Sequence, residues 1–365
     1  MKKILYITAF VPSRTGAGEN FSLHLIDDLS QNNSVDLIYF KYSDNKNYTT
    51  KSPNVHVLRI FKNSKFIKLL NYLMCPFLFP VFVVRFNLRR LFILKKIIRD
   101  IRYELILFDF SQTFLFSMFL DHPNKVLISH DVIAQRYSRI YAGVFMPFVR
   151  LSERLVIKNR NNKVFTFSQK DKKLLKNLYL VDSEVTCLYI DDIVIKSRPK
   201  NIGNYYVFFA NWKRWDNLSG LKWFIKYVLP EVNDNIEFKI IGCGLQNSVR
   251  ELLLEYPNVE YLGFIDDPYP LISNSRALLS PLFTGAGVKV KVLESLASGT
   301  HVIGTEISFE GIPSEFEDFM LVANYAEDFI SLINNFQIDL NEKINLKKIF
   351  LKNYNQHTLS EYINS

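Results

Sequence analysis

A glycine-rich loop followed by a helical pattern has the residue types needed to hold a diphosphate and a sugar diol. Residues 281–299 read PLFTGAGVKVKVLESLASG, and a predicted strand ends where this segment begins. Gly285 and Gly287 let the backbone approach a ligand closely, and the helix N-terminus together with Lys289 would neutralise a diphosphate. Glu294, about two turns along, could accept hydrogen bonds from a diol. In the alternative interpretation both lysines of this segment are solvated, and the glutamate is a surface partner of the second one.

Two further loops could contact a ligand at the ends of predicted strands. Segment 12–19 (PSRTGAGE) follows the first strand and precedes an amphipathic helix, so residues Gly16, Ala17 and Gly18 could bind a phosphate or an acceptor. A tight strand-to-helix turn is the alternative. The dinucleotide-binding fingerprint fits poorly, because Phe21 stands where its third glycine would fall. Segment 242–244 (GCG) indicates mainly turn geometry.

Parallel sheets must carry these loops, because short β-rich runs alternate with helical patterns through both halves of the chain. A polar stretch at 191–204 separates two such series. We therefore predict an α/β fold of two doubly wound, Rossmann-like domains at 1–195 and 196–345, with a C-terminal helix at 346–365 that could return to the first domain. The predicted strands are 3–9, 35–40, 104–110, 125–130, 163–168 and 185–190, then 205–210, 238–242, 259–264, 277–282, 301–304 and 320–322.

The composition is that of a globular protein in a reducing compartment. Of 365 residues, 48% are hydrophobic and 22% charged, which excludes long disorder and collagen-like classes. The three cysteines lie far apart without CxxC spacing, so neither a disulfide framework nor a zinc site is expected. The start of the chain does not have the pattern of a signal peptide. No apolar stretch reaches the roughly 18 uncharged residues of a membrane-spanning helix.

One segment carries the positive charge of the whole chain. Residues 56–102 hold eleven Lys and Arg against one acid, while the net charge of the chain is +9. At about 100° per residue, 82–102 forms a helix with an apolar face and a basic face that includes Arg85 and Arg89, with Arg90 as an exception. We expect this segment to dock on an anionic membrane surface. An ordinary domain helix is the alternative, and nucleic acid is a poorer partner because no binding motif accompanies the charge.

Three motifs in the second half follow one another in the order of a known family. They are 286–299 (AGVKVKVLESLASG), 301–305 (HVIGT) and 310–312 (EGI). They resemble the Gly-Gly-Thr-Arg-Leu-Lys run with its Leu-Glu-Ala, the Pro-Val-Val-X-Thr and the Glu-Gly of GT-B glycosyltransferases of the group 1 (GT4-type) class. Segment 208–217 also opens the second half as that family does. The first half resembles the family more loosely, at 16–18 and 129–131. The resemblance implies a GT-B fold, in which two Rossmann-like domains face a cleft.

The resemblance implies a donor site in the second domain. Glu294 would hold the nucleotide ribose. Lys289, with Lys213 or Arg214, would clamp the diphosphate and stabilise charge on the leaving group. The implied donor-site residues are Lys213, Arg214, Gly285, Gly287, Val288, Lys289 and Glu294. Such a site needs no metal ion and no cofactor, since the nucleotide sugar is a substrate.

The resemblance also implies a catalytic histidine and leaves the stereochemistry open. His130 would lie across the cleft, near the donor sugar or the acceptor hydroxyl; a satisfied histidine at a strand end is the alternative. The family mechanism is transfer with retention. Ala286 stands where many members carry the first of two glutamates, so both retention and the identity of the sugar stay open.

The implied function is transfer of a sugar from a nucleotide sugar to a lipid-linked or growing glycan. By family analogy the pathway is bacterial O-antigen, capsule or lipopolysaccharide synthesis. The protein is then expected in the cytoplasm, peripheral on the inner face of the plasma membrane. One alternative is a nucleotide-sugar epimerase of the same fold, which needs no acceptor. The other is an inactive, membrane-bound partner protein.

Overall fold

The computed structural model describes residues 1–42, 46–139, 143–158 and 162–365. They divide into two compact units, Met1–Tyr189 with Gln356–Ser365, and Ile190–Asn355. The sequence analysis placed the boundaries after residues 195 and 345, whereas the structure places them after 189 and 355. The first boundary is earlier because the short helix at Asp192–Lys196 packs within the second unit. Among the described residues, no helix is long and apolar enough to cross a bilayer.

In the first unit the described residues form a seven-stranded parallel sheet of strand order β3-β2-β1-β4-β5-β6-β7. The central strand β1 is buried on both faces, with Ile4 to Ile7 fully inaccessible, as expected where helices cover both sides of a parallel sheet. The strands are β1 (Lys3–Thr8), β2 (Ser34–Lys41), β3 (Val55–Lys62), β4 (Leu105–Asp109), β5 (Lys125–Ser129), β6 (Asn162–Thr166) and β7 (Glu184–Val185).

The helices of the first unit follow the strands in a doubly wound pattern. Helix α1 buries Phe21, Leu25 and Ile26 against the sheet, at the three- and four-residue spacing of one helix face. The described helices are α1 (Ala17–Leu29), α2 (Lys65–Met74), α3 (Pro80–Val83), α4 (Leu88–Asp100), α5 (Ser111–Phe114), α6 (Ile133–Ser138), α7 (Met146–Ile157), α8 (Gln169–Tyr179) and, from the C-terminus, α17 (Thr358–Asn364).

The second unit has a six-stranded parallel sheet among its described residues, of strand order β10-β9-β8-β11-β12-β13. Its strands are β8 (Tyr205–Phe209), β9 (Glu237–Ile241), β10 (Val259–Gly263), β11 (Ala277–Ser280), β12 (His301–Gly304) and β13 (Met320–Val322). Its helices are α9 (Asp192–Lys196), α10 (Trp215–Tyr227), α11 (Asn247–Leu253), α12 (Tyr269–Asn274), α13 (Val290–Ala297), α14 (Glu306–Phe309), α15 (Ala326–Asn335) and α16 (Leu340–Asn353).

The predicted α/β fold of two doubly wound, parallel-sheet domains is confirmed. Two local predictions are wrong. The expected single helix at 82–102 is divided into α3 and α4, because the side chain of Asn87 caps a new helix by accepting a hydrogen bond from the backbone N–H of Arg90. The C-terminal segment is likewise divided, so that α16 belongs to the second unit and α17 to the first.

Candidate functional site

In the second unit, the loop after β11 places two glycines and a lysine at the start of α13. Gly285 and Gly287 have φ values of 110° and 69°, which side-chain-bearing residues rarely adopt. The Lys289 amine bends back and donates to the Gly287 carbonyl at 2.7 Å. Val288 lies between them, partly buried. The predicted strand, loop and helix are therefore present, and the backbone turns sharply just before the helix N-terminus.

Three cations gather around one carboxylate beside this loop. The Arg214 guanidinium donates to both oxygens of Asp216, at 3.2 and 2.9 Å. Asp216 also lies at Gly285, where an added Cβ would be 3.7 Å from its Oδ2. Burial lowers the pKa of Lys291 to about 7, and the charges of Lys289 and Arg214 lower it further against the opposing effect of Asp216. A dianionic ligand would relieve this mutual repulsion of the cations.

Asp216 shows the same electrostatics from the other side. Its burial alone would raise the pKa, but the hydrogen bonds and charge of Arg214, with the charge of Lys291, hold it below the ordinary value. Asp216 therefore stays ionised and orders Arg214. The sequence analysis assigned a role to neither Asp216 nor Lys291; the position of Asp216 in the first turn of the helix after Arg214 was the available signal.

Glu294, on the second turn of α13, is hydrogen-bonded to the Tyr269 hydroxyl. Burial raises the pKa of Glu294 to about 8, against the opposing effect of that hydrogen bond. The alternative in which Glu294 pairs with Lys291 on the surface is not what the structure shows, because the Lys291 amine donates to the Asn217 side chain at 3.2 Å. Tyr269, at the start of α12, was not anticipated from the sequence.

Lys213 lies at the neighbouring loop rather than in the cation cluster. Gly244, which has a φ of 86°, leaves the space that the Lys213 stem fills, since an added Cβ would be 2.4 Å from Lys213 Cγ. The predicted turn at 242–244 therefore supports the stem of a predicted donor-site lysine.

In the first unit, the carboxyl ends of β4 and β5 bring an aspartate and a histidine together. Asp109, the last residue of β4, is fully buried. Its Oδ1 is 2.7 Å from Nε2 of His130, and its Oδ2 accepts hydrogen bonds from the hydroxyls of Tyr6 and Ser22. An ionised carboxylate is an acceptor only, so Nε2 carries the proton and Nδ1 is the ring nitrogen with a lone pair.

Aromatic rings hold the plane of His130. Its ring stacks on that of Phe110 with centroids 3.7 Å apart and planes at 7°, and Phe21 and Phe167 contact it edge-on. Phe110 itself has a φ of 69°, a conformation that is rare for a bulky residue and typical of functional sites. The site therefore fixes both the orientation of the ring and its protonation. The sequence analysis singled out His130 but not Asp109.

The glycine loop after β1 lies next to this histidine. Gly16 is the N-cap of α1, and Ala17 and Gly18 form its first residues. A Cβ on Gly18 would come within 2.6 Å of the Phe110 ring and 3.3 Å of His130 Nδ1. The loop is thus a tight strand-to-helix connection, and its second glycine leaves room for the stacked rings. Among the described residues, no three potential metal-ligating His, Cys, Asp or Glu side chains are grouped.

Comparisons with known proteins agree with this arrangement. Residues 203–337 match the family model described as "Glycosyl transferases group 1". A protein of Klebsiella pneumoniae, described as an uncharacterized 44.6 kDa protein in the cps region, is 22% identical over 360 residues, which are 92% of this chain and 91% of that protein.

Solved structures of other glycosyltransferases have the same fold. HepE of Anabaena in complex with UDP superposes with a TM-score of 0.71 at 14% identity, over 99% of this chain and 98% of its own. WaaG, a glycosyltransferase involved in lipopolysaccharide biosynthesis, gives a TM-score of 0.63 at 11% identity, over 99% and 98%. With its second unit matched to the family and both units folded in this way, the chain is a GT-B glycosyltransferase of group 1.

Proposed function

We propose that this glycosyltransferase moves a sugar from a nucleotide-sugar donor to a lipid-linked or growing glycan, in the synthesis of a bacterial surface polysaccharide. One observation carries the proposal: Arg214, Lys289 and Lys291 surround a single aspartate beside a glycine loop and the N-terminus of α13. That arrangement has the charge for a diphosphate, and Glu294 on the same helix has the acceptor for a ribose.

Each residue has a defined part in this proposal. Lys289, Lys291 and Arg214 stabilise the negative charge that grows on the departing diphosphate, and Glu294 orients the nucleotide. His130, held by Asp109, offers Nδ1 to a hydroxyl of the acceptor or of the donor sugar. We infer transfer with retention, the donor phosphate assisting removal of the acceptor proton on the same face, and no metal ion in the reaction.

The pathway assignment draws on two relatives. The similar Klebsiella protein is described as lying in the cps region, and WaaG acts in lipopolysaccharide biosynthesis. An acceptor of this kind is membrane-bound, and the basic segment 56–102 would hold the protein on the anionic inner face of the plasma membrane. The proposed location is therefore cytoplasmic and peripheral.

Nucleotide binding is the first test. Thermal unfolding is measured with free nucleoside diphosphates and their sugar conjugates, without metal. A ligand at 100 times its Kd should stabilise the protein by about 2.7 kcal/mol. Glu294→Ala should abolish the shift, whereas the matched control Glu255→Ala, an exposed glutamate of the same unit, should retain it. A shift that survives in Glu294→Ala contradicts the role of Glu294, and no shift with any nucleotide contradicts the proposal.

Turnover separates the proposal from its alternatives. A transferase releases nucleoside diphosphate only when an acceptor glycan is present, whereas an epimerase converts the donor alone and an inactive partner protein does neither. The anomeric configuration of the product, read from its one-bond carbon–hydrogen coupling, tests retention.

A further inference from the structure

Helix α2 turns its apolar side toward solvent. Its residues at positions i, i+3, i+4, i+7 and i+8 lie on one helical face, and all are large and apolar. They are Phe66 (68% exposed), Leu69 (55%), Leu70 (44%), Leu73 (69%) and Met74 (44%). The buried residue of this helix is a polar one, Asn71, whose side-chain amide donates to the Val84 carbonyl at 2.9 Å. Helix α2 is therefore attached to the unit by its polar side.

The apolar surface of α2 continues onto the neighbouring segments. Phe77 in the turn after α2, with Leu88 and Phe92 on α4, is also exposed by half or more. Soluble monomers rarely expose a contiguous apolar surface of this kind without using it for binding. We call α2 together with these three residues the apolar α2 surface.

Cations surround this surface, but fewer than the sequence suggested. Arg85, assigned to the basic face from the sequence, is buried, because α4 begins only at Leu88 and Arg85 lies in the turn before it. Its Nε donates to the Ala9 carbonyl at 2.8 Å. Arg90 is buried too, and donates to the carbonyls of Arg85 and Lys62, both at 2.8 Å. The exposed cations close to the apolar residues in sequence are Lys62, Lys65, Arg89, Lys95 and Lys96.

Between α2, α4 and the end of β3 lies an open cavity of about 710 Å³. Apolar side chains such as Leu70, Met74 and Ile93 line one side, and Arg59, Lys62 and Arg89 line the other. The cavity thus combines an apolar wall with three cations. A phospholipid, with an anionic phosphate beside an acyl chain, has the matching chemistry.

We propose that the apolar α2 surface inserts into the interfacial layer of a bilayer that contains anionic phospholipid, with a lipid phosphate in the α2–α4 cavity. A helix of ten residues is too short to span a bilayer, so it lies in the plane of the interface. Charge decides against a second copy of the chain, because a two-fold contact would bring segments with eleven cations and one acid face to face. The inference rests on the proposed function only for its purpose, access to a lipid-linked acceptor.

Vesicle binding by the full chain tests this inference. Co-sedimentation is measured with vesicles of phosphatidylcholine alone and with 30% phosphatidylglycerol added. The apolar variant is Leu69→Ser with Leu73→Ser, and its matched control is Leu254→Ser, which changes an 85% exposed leucine of the second unit. The charge variant is Lys62→Gln with Arg89→Gln, and its control is Lys348→Gln with Lys352→Gln, two exposed lysines of α16.

The wild-type protein should bind the anionic vesicles more tightly than the neutral ones, and less tightly as salt rises. The apolar variant should lose at least tenfold in partition coefficient. The charge variant should lose about 25-fold, which is about fivefold per cation. Both controls should stay within about twofold of the wild type. All changed positions are exposed, so unfolding temperatures within a few degrees of wild type are expected and are checked first.

Three results would overturn the inference: no vesicle binding by the wild type, equal binding by the apolar variant, or equal binding to neutral and anionic vesicles. Self-association that disappears in the apolar variant, without vesicle binding, would assign the surface to a second copy. Nucleotide-induced stabilisation is recorded on the same variants and should equal that of the wild type. A failure of the proposed function therefore appears in the nucleotide measurement, and a failure of this inference in the vesicle measurement.

Discussion

Asp109→Asn should disable the histidine site while leaving the nucleotide site intact. Asp109 receives Tyr6 and Ser22 on one oxygen and His130 on the other. Burial first, and then the charge of Asp109, raises the pKa of Tyr6, so its hydroxyl remains a donor. An asparagine keeps the two hydroxyl bonds if its oxygen faces them, which turns its NH₂ group toward Nε2. That NH₂ is a donor, and the ring proton must then move to Nδ1.

The magnitude follows from the loss of one acceptor. With Nδ1 protonated, His130 can no longer accept a proton from a substrate hydroxyl. General base catalysis contributes about 10² to 10⁴ in rate, so kcat/KM should fall by about that factor, equal to a barrier about 3–5 kcal/mol higher. Replacing the charged acceptor should also cost about 1–3 kcal/mol of folding free energy. The assay is therefore run well below the measured Tm.

Acceptor-dependent release of nucleoside diphosphate is the assay, and Ser22→Ala is its matched control. Ser22→Ala removes one hydrogen bond from Asp109 but leaves the contact with His130, so it should lower stability with little loss of kcat/KM. Nitrogen chemical shifts of the His130 ring should show the proton on Nε2 in the wild type and on Nδ1 in Asp109→Asn. If the folded Asp109→Asn protein matches Ser22→Ala in kcat/KM, the reasoning is refuted.

Three other predictions concern space and protonation. Gly18→Ala should lower kcat at least tenfold, because its Cβ would clash with the ring stacked on the histidine, whereas Gly16→Ala meets only a flexible side chain and should be near wild type in the same assay. Glu153 has its pKa raised to about 7 by burial. Stability should therefore be highest below about pH 4.5 and fall by about 3 kcal/mol as pH rises through 7, and denaturation curves of Glu153→Gln should show a smaller fall. Nucleotide affinity should be greatest between about pH 7 and 8, fall less above pH 8 in Lys291→Met, and fall less below pH 7 in Glu294→Gln, as checked by titration calorimetry.

The sheet strands could be predicted wherever they are buried on both faces. All six strands of the second unit and five of the first lie within a few residues of their predicted positions, because continuous apolar runs distinguish such strands. Strand β3 was missed because it is an edge strand with exposed and basic residues, which read as part of the basic segment. The predicted strand at 185–190 is reduced to the two residues of β7.

The candidate site was predictable where one contiguous segment builds it. The loop and helix from Gly285 to Glu294 could be inferred from spacing, since strand, turn and helix follow one another along the chain. The partners that define their chemistry come from elsewhere in the sequence. Tyr269 reaches Glu294 from another helix, and Asp109 reaches His130 from the adjacent strand. No periodicity links such pairs, so sequence patterns could not find them.

The pH dependence of nucleotide binding follows from two groups that titrate in opposite senses. Glu294, with a pKa raised to about 8 by burial, accepts a diol best as a carboxylate, so the free energy of binding it contributes grows as pH rises through 8. Lys291, with a pKa lowered to about 7 by burial and by the neighbouring cations, attracts a diphosphate best as an ammonium, so its contribution falls as pH rises through 7. Binding therefore couples proton release at Glu294 to proton uptake at Lys291. Each variant leaves the other group alone, so calorimetry in two buffers of different ionisation enthalpy should show net uptake in Glu294→Gln and net release in Lys291→Met. The same sign in both variants would exclude one of the two assignments.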